Sequence, residues 1–414
     1  MIVLTIGDEI LKGRILNTNA RFMAQRLYSA GFQVQEIRSV GDSESRIIES
    51  LDQSFARAPL VIATGGLGPT RDDLTKKAVC RFFNTSPVLD EKLLSELKKR
   101  FAAMGYSQFP EASRSQAEVP EGATVLPNPR GTASGLLLEQ ADRTLILLPG
   151  VPIELRALMD EEVLPLLIRR YGPALPRSLI VRTVGLGESV LAQRIEKALS
   201  QDEARLLSYY PHGGMVDVVI APESPGTPDE NLLQRVADMV AASVRCHVYS
   251  RDERSLDRVV AEMLSEKRLK VALAESCTGG MLAERMTDLP GSSVYFDCAV
   301  VSYSNEAKSI FLDVPEELIA EHGAVSEQVC RAMAGGLKKR TGADYTIAIT
   351  GIAGPGGDTP AKPVGTVYIA LSSPEETAVE RFSFTGDREQ IRLRSSIKAL
   401  ELLWRSLTGE SNQL

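Results

Sequence analysis

The sequence is poor in histidine, the side chain that most often activates a hydroxyl or thiol nucleophile. Only three histidines occur in 414 residues, His212, His247 and His322. A Ser-His-Asp triad therefore has few candidates in this chain. Any nucleophile that the sequence offers has to be considered with another base in mind.

Cysteine is also scarce, and its spacing is not that of a metal site. The five cysteines are widely separated and odd in number, and none forms the closely spaced pair of a zinc site. This pattern argues against a disulfide framework and predicts reduced thiols. We therefore expect the protein to work in the cytoplasm.

The chain lacks a long apolar run and an excess of basic residues. No stretch approaches the roughly 18 apolar residues of a membrane span, and the first residues are typical of a strand, not of a signal peptide. The formal net charge is −7, which does not favour a general nucleic-acid surface. We expect a protein of two or three domains that binds neither membranes nor nucleic acid.

The most informative segment that is present covers residues 275–280, Glu-Ser-Cys-Thr-Gly-Gly, after an apolar run at 271–274. A short strand that breaks into polar residues and paired glycines, and then into a helical pattern, predicts a strand-to-helix corner. Such a corner holds a nucleophile against unpaired N–H groups and the positive end of a helix dipole. Ser276 or Cys277 would be that nucleophile, since a thiol at a helix start is also activated.

The base for this nucleophile is a histidine or a lysine. His322 ends a predicted helix, where a histidine usually caps the helix and is seldom part of a relay. Lys308 lies one turn into a predicted helix, and Tyr303 ends the strand before it. A lysine whose pKa is lowered by burial can take a proton from serine, and a tyrosine can orient it. The alternative is a solvated Lys308 and a Tyr303 that fills the core.

Glycine-rich turns follow the next predicted strands. The strand at 346–350 runs into Gly-Ile-Ala-Gly-Pro-Gly-Gly at 351–357, and Arg388 opens a late helix that also carries Arg392 and Arg394. Glycines allow backbone amides to approach an anion closely, and arginine binds phosphate. The whole pattern suits hydrolysis of an acyl group on a substrate that carries phosphate.

The segments AESCTGG, VSYSNEAK, HGAVSE, GIAGPGG, KPVGTVY and GDRE together resemble the nicotinamide-nucleotide amidohydrolase (NMN deamidase, PncC-type) domain over residues 255–407. The resemblance implies hydrolysis of nicotinamide mononucleotide (NMN) to nicotinic acid mononucleotide and ammonia, without a cofactor. It implies Ser276 as nucleophile, Lys308 as base and Tyr303 as their partner. The implied substrate-binding residues are Thr278, Gly279, Gly351, Ile352, Ala353, Gly354 and Arg388.

The first part of the chain alternates predicted strands at 2–6, 34–40 and 60–64 with helices, one of them capped by Asn17. This alternation predicts a parallel sheet with right-handed crossovers, whose ligands bind beyond the carboxyl ends of the strands. Asp8, Glu9 and Asp42 follow those ends. A glycine-rich loop at 64–73 is expected at the same edge of the sheet.

The loop carries Gly65, Gly66 and Gly68, which predict an amide cradle for phosphate. Asp72 and Asp73 are expected to begin the next helix, where the dipole favours carboxylates. The simple interpretation is a glycine turn followed by acids at a helix start. The functional interpretation adds a hard divalent cation, held by a carboxylate and by phosphate oxygens.

The motifs GDEILKGRILNTNA, TGGLGPTRDDLT, NPRGTASG and LLPGVPIE resemble the MoaB/MogA-like molybdopterin-binding domain, in the form found in CinA, over residues 1–170. In the CinA family (competence/damage-inducible protein A), this domain comes first in the chain and the amidohydrolase domain comes last. The family resemblance implies hydrolysis of ADP-ribose to AMP and ribose 5-phosphate with a divalent cation. Metal and water would be held by Asp72 and Asp73.

Other residues of this domain are assigned by position. Gly65, Gly66 and Gly68 would form the phosphate loop. Asn17 and Asn19 are candidates for ligand contact, although both also suit helix capping. The segment 131–133 would close the pocket, and Glu154 is a further acid at a helix start.

A central domain is predicted at 177–250, after a linker at 171–176. Its predicted order β-α-β-β-α-β, with a turn at 211–214, fits a small split α/β sandwich. The CinA resemblance implies a KH-type domain, but residues 185–188 read Gly-Leu-Gly-Glu and lack the basic G-x-x-G clamp of RNA-binding members. We expect a spacer or a dimer contact in an α/β protein of three domains that forms a homodimer.

Two other functions stay open. The first domain alone would suit a protein that handles a molybdopterin-type ligand. The family name suggests a non-catalytic adaptor in competence or recombination, with a recombination protein as its partner. Preference for a molybdopterin ligand over ADP-ribose, or the lack of any nucleotide turnover, would favour these alternatives.

Overall fold

A computed structural model describes residues 1–70, 72–172, 178–221 and 230–409. The described residues form two compact units, which divide between Gly172 and Ser178. Most of the predicted linker at 171–176 lies outside the described residues, as does Arg71 of the glycine-rich loop. None of the described helices is long and apolar enough to span a bilayer.

The first unit is built on a mixed sheet. Its strands are β1 (Ile2–Ile6), β2 (Glu36–Val40), β3 (Leu60–Thr64), β4 (Pro87–Leu89), β5 (Glu118–Pro120), β6 (Thr124–Leu126), β7 (Gly135–Gln140) and β8 (Arg143–Leu148). The described strands pair in the order β2-β1-β3-β8-β7-β6, while β4 and β5 pair separately. Strands β1, β2, β3 and β8 are parallel, and β6 and β7 are antiparallel.

The strands predicted to form a parallel sheet do so, and the sheet continues beyond them into an antiparallel edge that the sequence interpretation did not include. Strands β7 and β8 are joined by the two residues Ala141 and Asp142, and Ala141 has a positive φ of 54°. A connection of two residues can join only antiparallel neighbours, because a parallel pair needs a long crossover. The parallel half of the sheet agrees with the predicted crossovers.

Helices cover both faces of this sheet. They are α1 (Asp8–Leu11), α2 (Thr18–Ser29), α3 (Glu44–Phe55), α4 (Thr75–Phe82), α5 (Glu91–Ala103), α6 (Pro152–Leu158) and α7 (Leu164–Tyr171). Helices α3, α4 and α5 contribute to one apolar cluster, and α2, α6 and α7 to another. Strands β1 and β3 are buried at every residue, as expected for strands packed on both faces.

The second unit begins with a four-stranded antiparallel sheet. Its strands are β9 (Leu179–Val184), β10 (Leu207–His212), β11 (Met215–Ile220) and β12 (Val248–Ser250), and they pair in the order β10-β11-β9-β12. Its helices are α8 (Glu188–Glu196), α9 (Gln201–Ala204) and α10 (Glu230–Ser243). The observed order is the predicted β-α-β-β-α-β with one extra short helix.

The predicted turn at 211–214 is shorter than expected. Pro211 and His212 pair with Val216 and Met215 in the ladder. The turn itself consists of two glycines, both with positive φ. Such a turn matches the twist of a hairpin, so the strand continues two residues further than the sequence pattern indicated.

The rest of the second unit is a five-stranded sheet between two helical layers. Its strands are β13 (Val271–Glu275), β14 (Phe296–Val301), β15 (Tyr345–Gly351), β16 (Thr366–Ser372) and β17 (Thr377–Ser383), in the order β14-β13-β15-β16-β17. Strand β13 runs parallel to β14 and β15, while β16 and β17 are antiparallel. The carboxyl ends of three parallel strands therefore meet at one edge, where α/β proteins bind ligands.

The two helical layers lie on opposite faces of this sheet. The helices are α11 (Leu256–Lys267), α12 (Met281–Thr287), α13 (Asn305–Leu312), α14 (Glu316–His322), α15 (Glu327–Thr341) and α16 (Arg388–Thr408). Helices α11, α12 and α16 pack in one cluster, and α13 to α15 in the other. Val184 and Met215 of the four-stranded sheet join the first cluster, so a separate central domain stays a prediction.

Candidate active site

Ser276 follows the last residue of β13, in the middle of the parallel half of the sheet. Its backbone N–H donates to the carbonyl of Ile349 on β15, 3.0 Å away, which ties the corner to the neighbouring strand. Its Oγ lies 3.2 Å from Nζ of Lys308. The structure therefore brings together the predicted nucleophile and the predicted base, 32 residues apart in the chain.

Lys308 is buried, with 1% of its surface exposed, so the alternative of a solvated helix residue is wrong. It lies in α13, which Ser304 caps by accepting from Ala307 N–H. Its Nζ also donates to the carbonyl of Ser302, 2.8 Å away, with a weaker contact of 3.3 Å to the carbonyl of Tyr303. Burial lowers the pKa of Lys308, because an ammonium group loses hydration in the protein interior.

Tyr303 does not fill the core, since 61% of its surface is exposed. Its hydroxyl accepts a hydrogen bond from Nη2 of Arg388 at 3.0 Å. Nη1 of the same arginine donates to the carbonyl of Gly354 at 2.8 Å. The Tyr303 side chain thus bonds Arg388, whereas only the backbone carbonyl of Tyr303 contacts the Lys308 amine. Arg388 joins Tyr303 to the 351–354 loop.

The sequence predicted that the helix after the corner directs its positive end at the nucleophile. In the structure this end faces the carboxylate of Glu275 instead. The carboxylate of Glu275 is fully buried and accepts from the N–H groups of Gly280, Leu282 and Ala283 at 2.9, 3.2 and 2.8 Å. Gly280 directly precedes α12, and Leu282 and Ala283 lie in its first turn. The dipole is therefore neutralised by Glu275, a residue whose role the sequence interpretation missed.

Two unpaired amides remain in the turn itself. Among the described residues, the N–H groups of Cys277 and Thr278 donate a hydrogen bond to no other residue. The carbonyl of Thr278 is held by Nε and Nη2 of Arg392 at 3.1 and 2.7 Å. Arg392 is a second residue whose role was missed, because it lies more than 110 residues away on α16. The turn is thus clamped with its free N–H groups beside Ser276.

The side chains of this turn are turned inward. Thr278 is fully buried and its Oγ1 has no hydrogen-bond partner in the described part of the chain. Any contact of Thr278 with a substrate would therefore come from its amide. Gly279 and Gly280 have positive φ values of 61° and 94°, which most side chains disfavour, so the turn needs glycine at both positions.

Cys277 is a poor nucleophile in this structure. It is 6% exposed and belongs to the apolar cluster beneath the sheet. Burial raises the pKa of its thiol to about 12, so the reactive thiolate is disfavoured. The expectation that a thiol at this helix start would be activated is therefore wrong, because its side chain points into the core.

His322 is not part of the pair around Ser276. It ends α14, and its Nε2 lies 3.7 Å from a carboxylate oxygen of the adjacent Glu321. Its carbonyl accepts from Nζ of Lys362 at 2.8 Å. The serine hydroxyl bonds Lys308 instead, which disfavours a histidine relay.

The predicted 351–354 loop continues from β15 beside the corner. Ile352 and Ala353 are buried, and Ile352 N–H donates to the carbonyl of Thr366 at 2.8 Å. The N–H groups of Ala353 and Gly354 have no partner within the described ranges. A side chain on Gly351 would come within 3.1 Å of the Cys277 sulfur. The loop thus offers amides to a ligand while its side chains pack inward.

The glycine loop of the first unit follows β3. A Cβ atom on Gly65 would overlap the carbonyl of Ile6, and one on Gly66 would overlap the Thr75 hydroxyl. Internal packing alone therefore requires these glycines. The N–H groups of residues 66, 67 and 68 nevertheless have no hydrogen-bond partner within the described chain, as an anion cradle would need.

The prediction that Asp72 and Asp73 begin a helix is wrong. Helix α4 starts at Thr75. The carboxylate of Asp73 accepts from the N–H and the hydroxyl of Thr70 at 2.8 and 2.5 Å. These bonds close a local turn, which keeps both acids ahead of the helix.

The acids at this edge of the sheet repel one another. Burial raises the pKa of Asp42, and the charges of Glu9, Asp8 and Asp72 raise it further. Asp8 is partly neutralised by Lys12, 2.6 Å away. In the part of the chain that the structure describes, no group of three or more acidic, histidine or cysteine side chains is arranged to hold a metal ion. This donor set would suit a cation that takes its other ligands from phosphate oxygens.

The two predicted asparagine contacts have structural roles. Oδ1 of Asn17 caps α2, and its Nδ2 donates to the hydroxyl of Thr5 at 3.0 Å. Nδ2 of Asn19 donates to the carbonyl of Gly150 at 2.7 Å. Both amides are thus engaged within the protein.

The segment 131–133 is fixed from within. Asn128 accepts from the N–H groups of Arg130 and Gly131, and its Nδ2 donates to the Glu154 carboxylate at 3.0 Å. Burial raises the pKa of Glu154. Glu154 therefore stabilises this segment through its hydrogen bond with Asn128.

Comparison with known proteins identifies the family. The model of the CinA C-terminal domain matches residues 253–407, and the model described as "Probable molybdopterin binding domain" matches residues 2–169. The CinA-like protein of Dictyoglomus thermophilum is 39% identical over 406 residues and 98% of both chains. That of Citrifermentans bemidjiense is 40% identical over 98% of this chain and 97% of its own. The chain therefore belongs to the CinA-like family, and the predicted family and α/β fold class are confirmed.

Among solved structures, the chain is similar to competence damage-inducible protein A from Klebsiella pneumoniae. The two are 37% identical over 37% of this chain and 95% of that one, with a TM-score of 0.36.

Proposed function

We propose that the second unit hydrolyses the carboxamide of nicotinamide mononucleotide to nicotinic acid mononucleotide and ammonia. The observation that supports this most directly is the contact between a buried lysine amine and a serine hydroxyl at the end of a central strand. A neutral amine is a base, and a serine needs one to become a nucleophile. The motif resemblance supplies the choice of substrate.

In the first step, Nζ of Lys308 takes the proton of the Ser276 hydroxyl while Oγ attacks the carboxamide carbon. The negative charge that develops on the substrate oxygen would be stabilised by the unpaired N–H groups of Cys277 and Thr278. Lys308 then returns the proton to the leaving nitrogen, and ammonia departs. Water, deprotonated by the same amine, attacks the acyl-serine and regenerates Ser276 with release of the acid.

The entrance residues suit the remainder of this substrate. Arg388 and Tyr303 are exposed beside the corner. A guanidinium group pairs well with a phosphate, and an exposed phenol ring can cover a pyridine ring. The N–H groups of Ala353 and Gly354, which are unpaired within the described ranges, would add donors for the phosphate or ribose.

The decisive experiment offers NMN to the purified full chain and measures ammonia and nicotinic acid mononucleotide. Activity should persist in EDTA, because serine and lysine supply nucleophile and base. Ser276→Ala should abolish turnover, and Cys277→Ala should keep most of it. Loss in Cys277→Ala with retention in Ser276→Ala would refute the serine assignment.

We further propose that the first unit hydrolyses ADP-ribose to AMP and ribose 5-phosphate with a divalent cation. Three successive N–H groups at 66–68, which have no partner among the residues that the structure describes, and the mutually repelling acids around Asp42 support this. Asp72 and Asp73 would hold the cation together with phosphate oxygens, and the cation would neutralise developing charge and activate water. Measurement of AMP release with and without EDTA tests it, and preferential binding of a molybdopterin ligand would favour the alternative.

A further inference from the structure

Helix α16 links the candidate active site to the four-stranded sheet of the second unit. It has 21 residues, so it is roughly 30 Å long. Near its N-terminal end, Arg392 holds the carbonyl of Thr278 in the corner. Residues 397–405, toward its other end, contact the four-stranded sheet. Because a helix is a rigid element, a constraint on one end also fixes the other.

The contact with the sheet contains a buried ion pair. Nε of Arg405 donates to the Glu401 carboxylate at 3.0 Å, and the two residues are 9% and 3% exposed. Nζ of Lys398 lies 2.5 Å from the other oxygen of this carboxylate. Burial of two charges costs hydration free energy, and an apolar pair of similar volume often stabilises a fold equally well. Stability alone therefore does not explain this pair.

The guanidinium group of Arg405 also fixes the segment that leads into β12. Its Nη1 donates to the carbonyl of Cys246 at 3.0 Å, and its Nη2 lies 3.3 Å from Nδ1 of His247. The same Nδ1 is 3.0 Å from the carbonyl of Val184, the last residue of β9. The neighbouring strands β9 and β12 are thus connected to α16 through one side chain.

Two glycines of the sheet lie directly against the helix. A Cβ atom on Gly185, which follows β9, would overlap the Glu401 carboxylate. A Cβ atom on Gly213, in the turn between β10 and β11, would lie 2.6 Å from Cδ1 of Ile397. No side chain therefore fits between the sheet and the helix at either point.

We propose that the four-stranded sheet positions α16 for the reaction at Ser276, with Glu401 and Arg405 as the positioning residues. Because the C-terminal half of the helix is held, Arg392 stays against the Thr278 carbonyl. The clamped turn then keeps its N–H groups in place for the substrate oxygen. This role goes beyond the spacer or dimer contact that the sequence predicted, and it rests on the proposed deamidase function.

The test replaces both charges of the pair at once. In Glu401→Leu/Arg405→Met neither partner is left as an unpaired buried charge, so the variant should fold. The loosened corner should lower kcat for NMN about tenfold. KM should change little, because Arg388 keeps its own bonds to Tyr303 and Gly354.

A conservative variant gives a second measurement. Arg405→Lys keeps a positive charge beside Glu401, but an ammonium group cannot also reproduce the fork that contacts Cys246 and His247. Its kcat should fall in the same direction by a smaller factor. This variant decides the question if the variant without charges does not fold.

The matched control is Arg182→Met/Asp217→Leu. This pair lies in the same sheet, and its side chains are 14% and 13% exposed. In the described part of the chain it has no ion pair or hydrogen bond with α16. The control should keep the parental kcat.

A further comparison adds Arg392→Met to the variant without charges at 401 and 405. If the pair acts through Arg392, the combined variant should have the kcat of Arg392→Met alone. Effects that multiply in full would show that the pair acts by another route and would overturn the inference.

Amide hydrogen exchange over residues 277–283 gives a readout that needs no turnover. Exchange should be faster in the variant without charges than in the parent and the control, because the corner opens more often. Parental kcat together with parental exchange would also overturn the inference. If the parent releases no ammonia from NMN, the deamidase proposal fails, and the exchange rates alone decide whether the sheet positions the corner.

Discussion

The two candidate sites of this chain lie at equivalent places, beyond the carboxyl ends of parallel strands, but differ in burial. At the end of β13, Ser276, Lys308 and Glu275 are all at most 9% exposed. At the end of β3, Asp73 is half-buried, and Thr70 and Asp72 are exposed. The buried site can change the reactivity of its own groups by desolvation, whereas the open site depends on what it binds.

This contrast predicts that the buried site depends on single side chains. Ser276→Ala should lower kcat/KM for NMN by roughly 10⁴-fold or more, because no second nucleophile can replace the hydroxyl. The measurement is ammonia release by the purified variant. Cys277→Ala is the matched neighbour and should stay near parental activity. A serine variant with more than a tenth of parental activity would contradict the mechanism.

Removal of the base should have the next largest effect. Lys308→Met should lower kcat by about 10³-fold, the usual contribution of a general base, with a smaller change in KM. Lys339→Met, at an exposed position on α15, is the control. Parental activity in Lys308→Met would show that another group activates the serine.

The same lysine sets the expected pH dependence. Its pKa is lowered from the ordinary 10.5, so activity should rise with pH through the lowered value and level off below pH 10.5. The lowered pKa of Lys308 also affects the stability of the fold. The unfolded chain binds the proton more tightly, so this group destabilises the fold at neutral pH and the penalty fades as pH rises through that window. A profile that falls across this range would refute the neutral-amine base.

The open site should respond to chelation and to loss of its acid. EDTA should remove ADP-ribose hydrolysis, and Asp73→Ala should lower it by roughly 10²-fold, with no effect on NMN deamidation. Asp52→Ala, an exposed acid on α3, is the control. Equal loss of both activities in Asp73→Ala would indicate general damage to the fold and not a role in this site.

The smallest effect is expected for the residue that holds the corner. Glu275→Gln keeps the shape but weakens acceptance from three amides, so the free energy of unfolding should fall by about 2 kcal/mol. The loosened turn should lower kcat for NMN by about tenfold with little change in KM. Glu284→Gln on α12 is the control. A change confined to stability would assign Glu275 a structural role alone.

The order of elements and the position of the nucleophile could be predicted from the sequence, because both are local properties. Buried runs such as 2–6 and 60–64 are strands at the predicted residues. The corner at 275–280 was recognisable from its glycines. The antiparallel edge of the first sheet was missed, since the short turn at Ala141 carries no glycine.

What the sequence determined by itself is therefore the set of reactive groups and their place at strand ends, because strand periodicity and glycine turns act over a few residues. Only the tertiary structure decided which groups are reactive. Burial favours the neutral forms of Lys308 and Cys277, which makes the lysine a base but leaves the thiol unreactive. Arg392 reaches the carbonyl of Thr278 from a distant helix. Protonation depends on solvent access and on neighbours in space, which chain order does not specify.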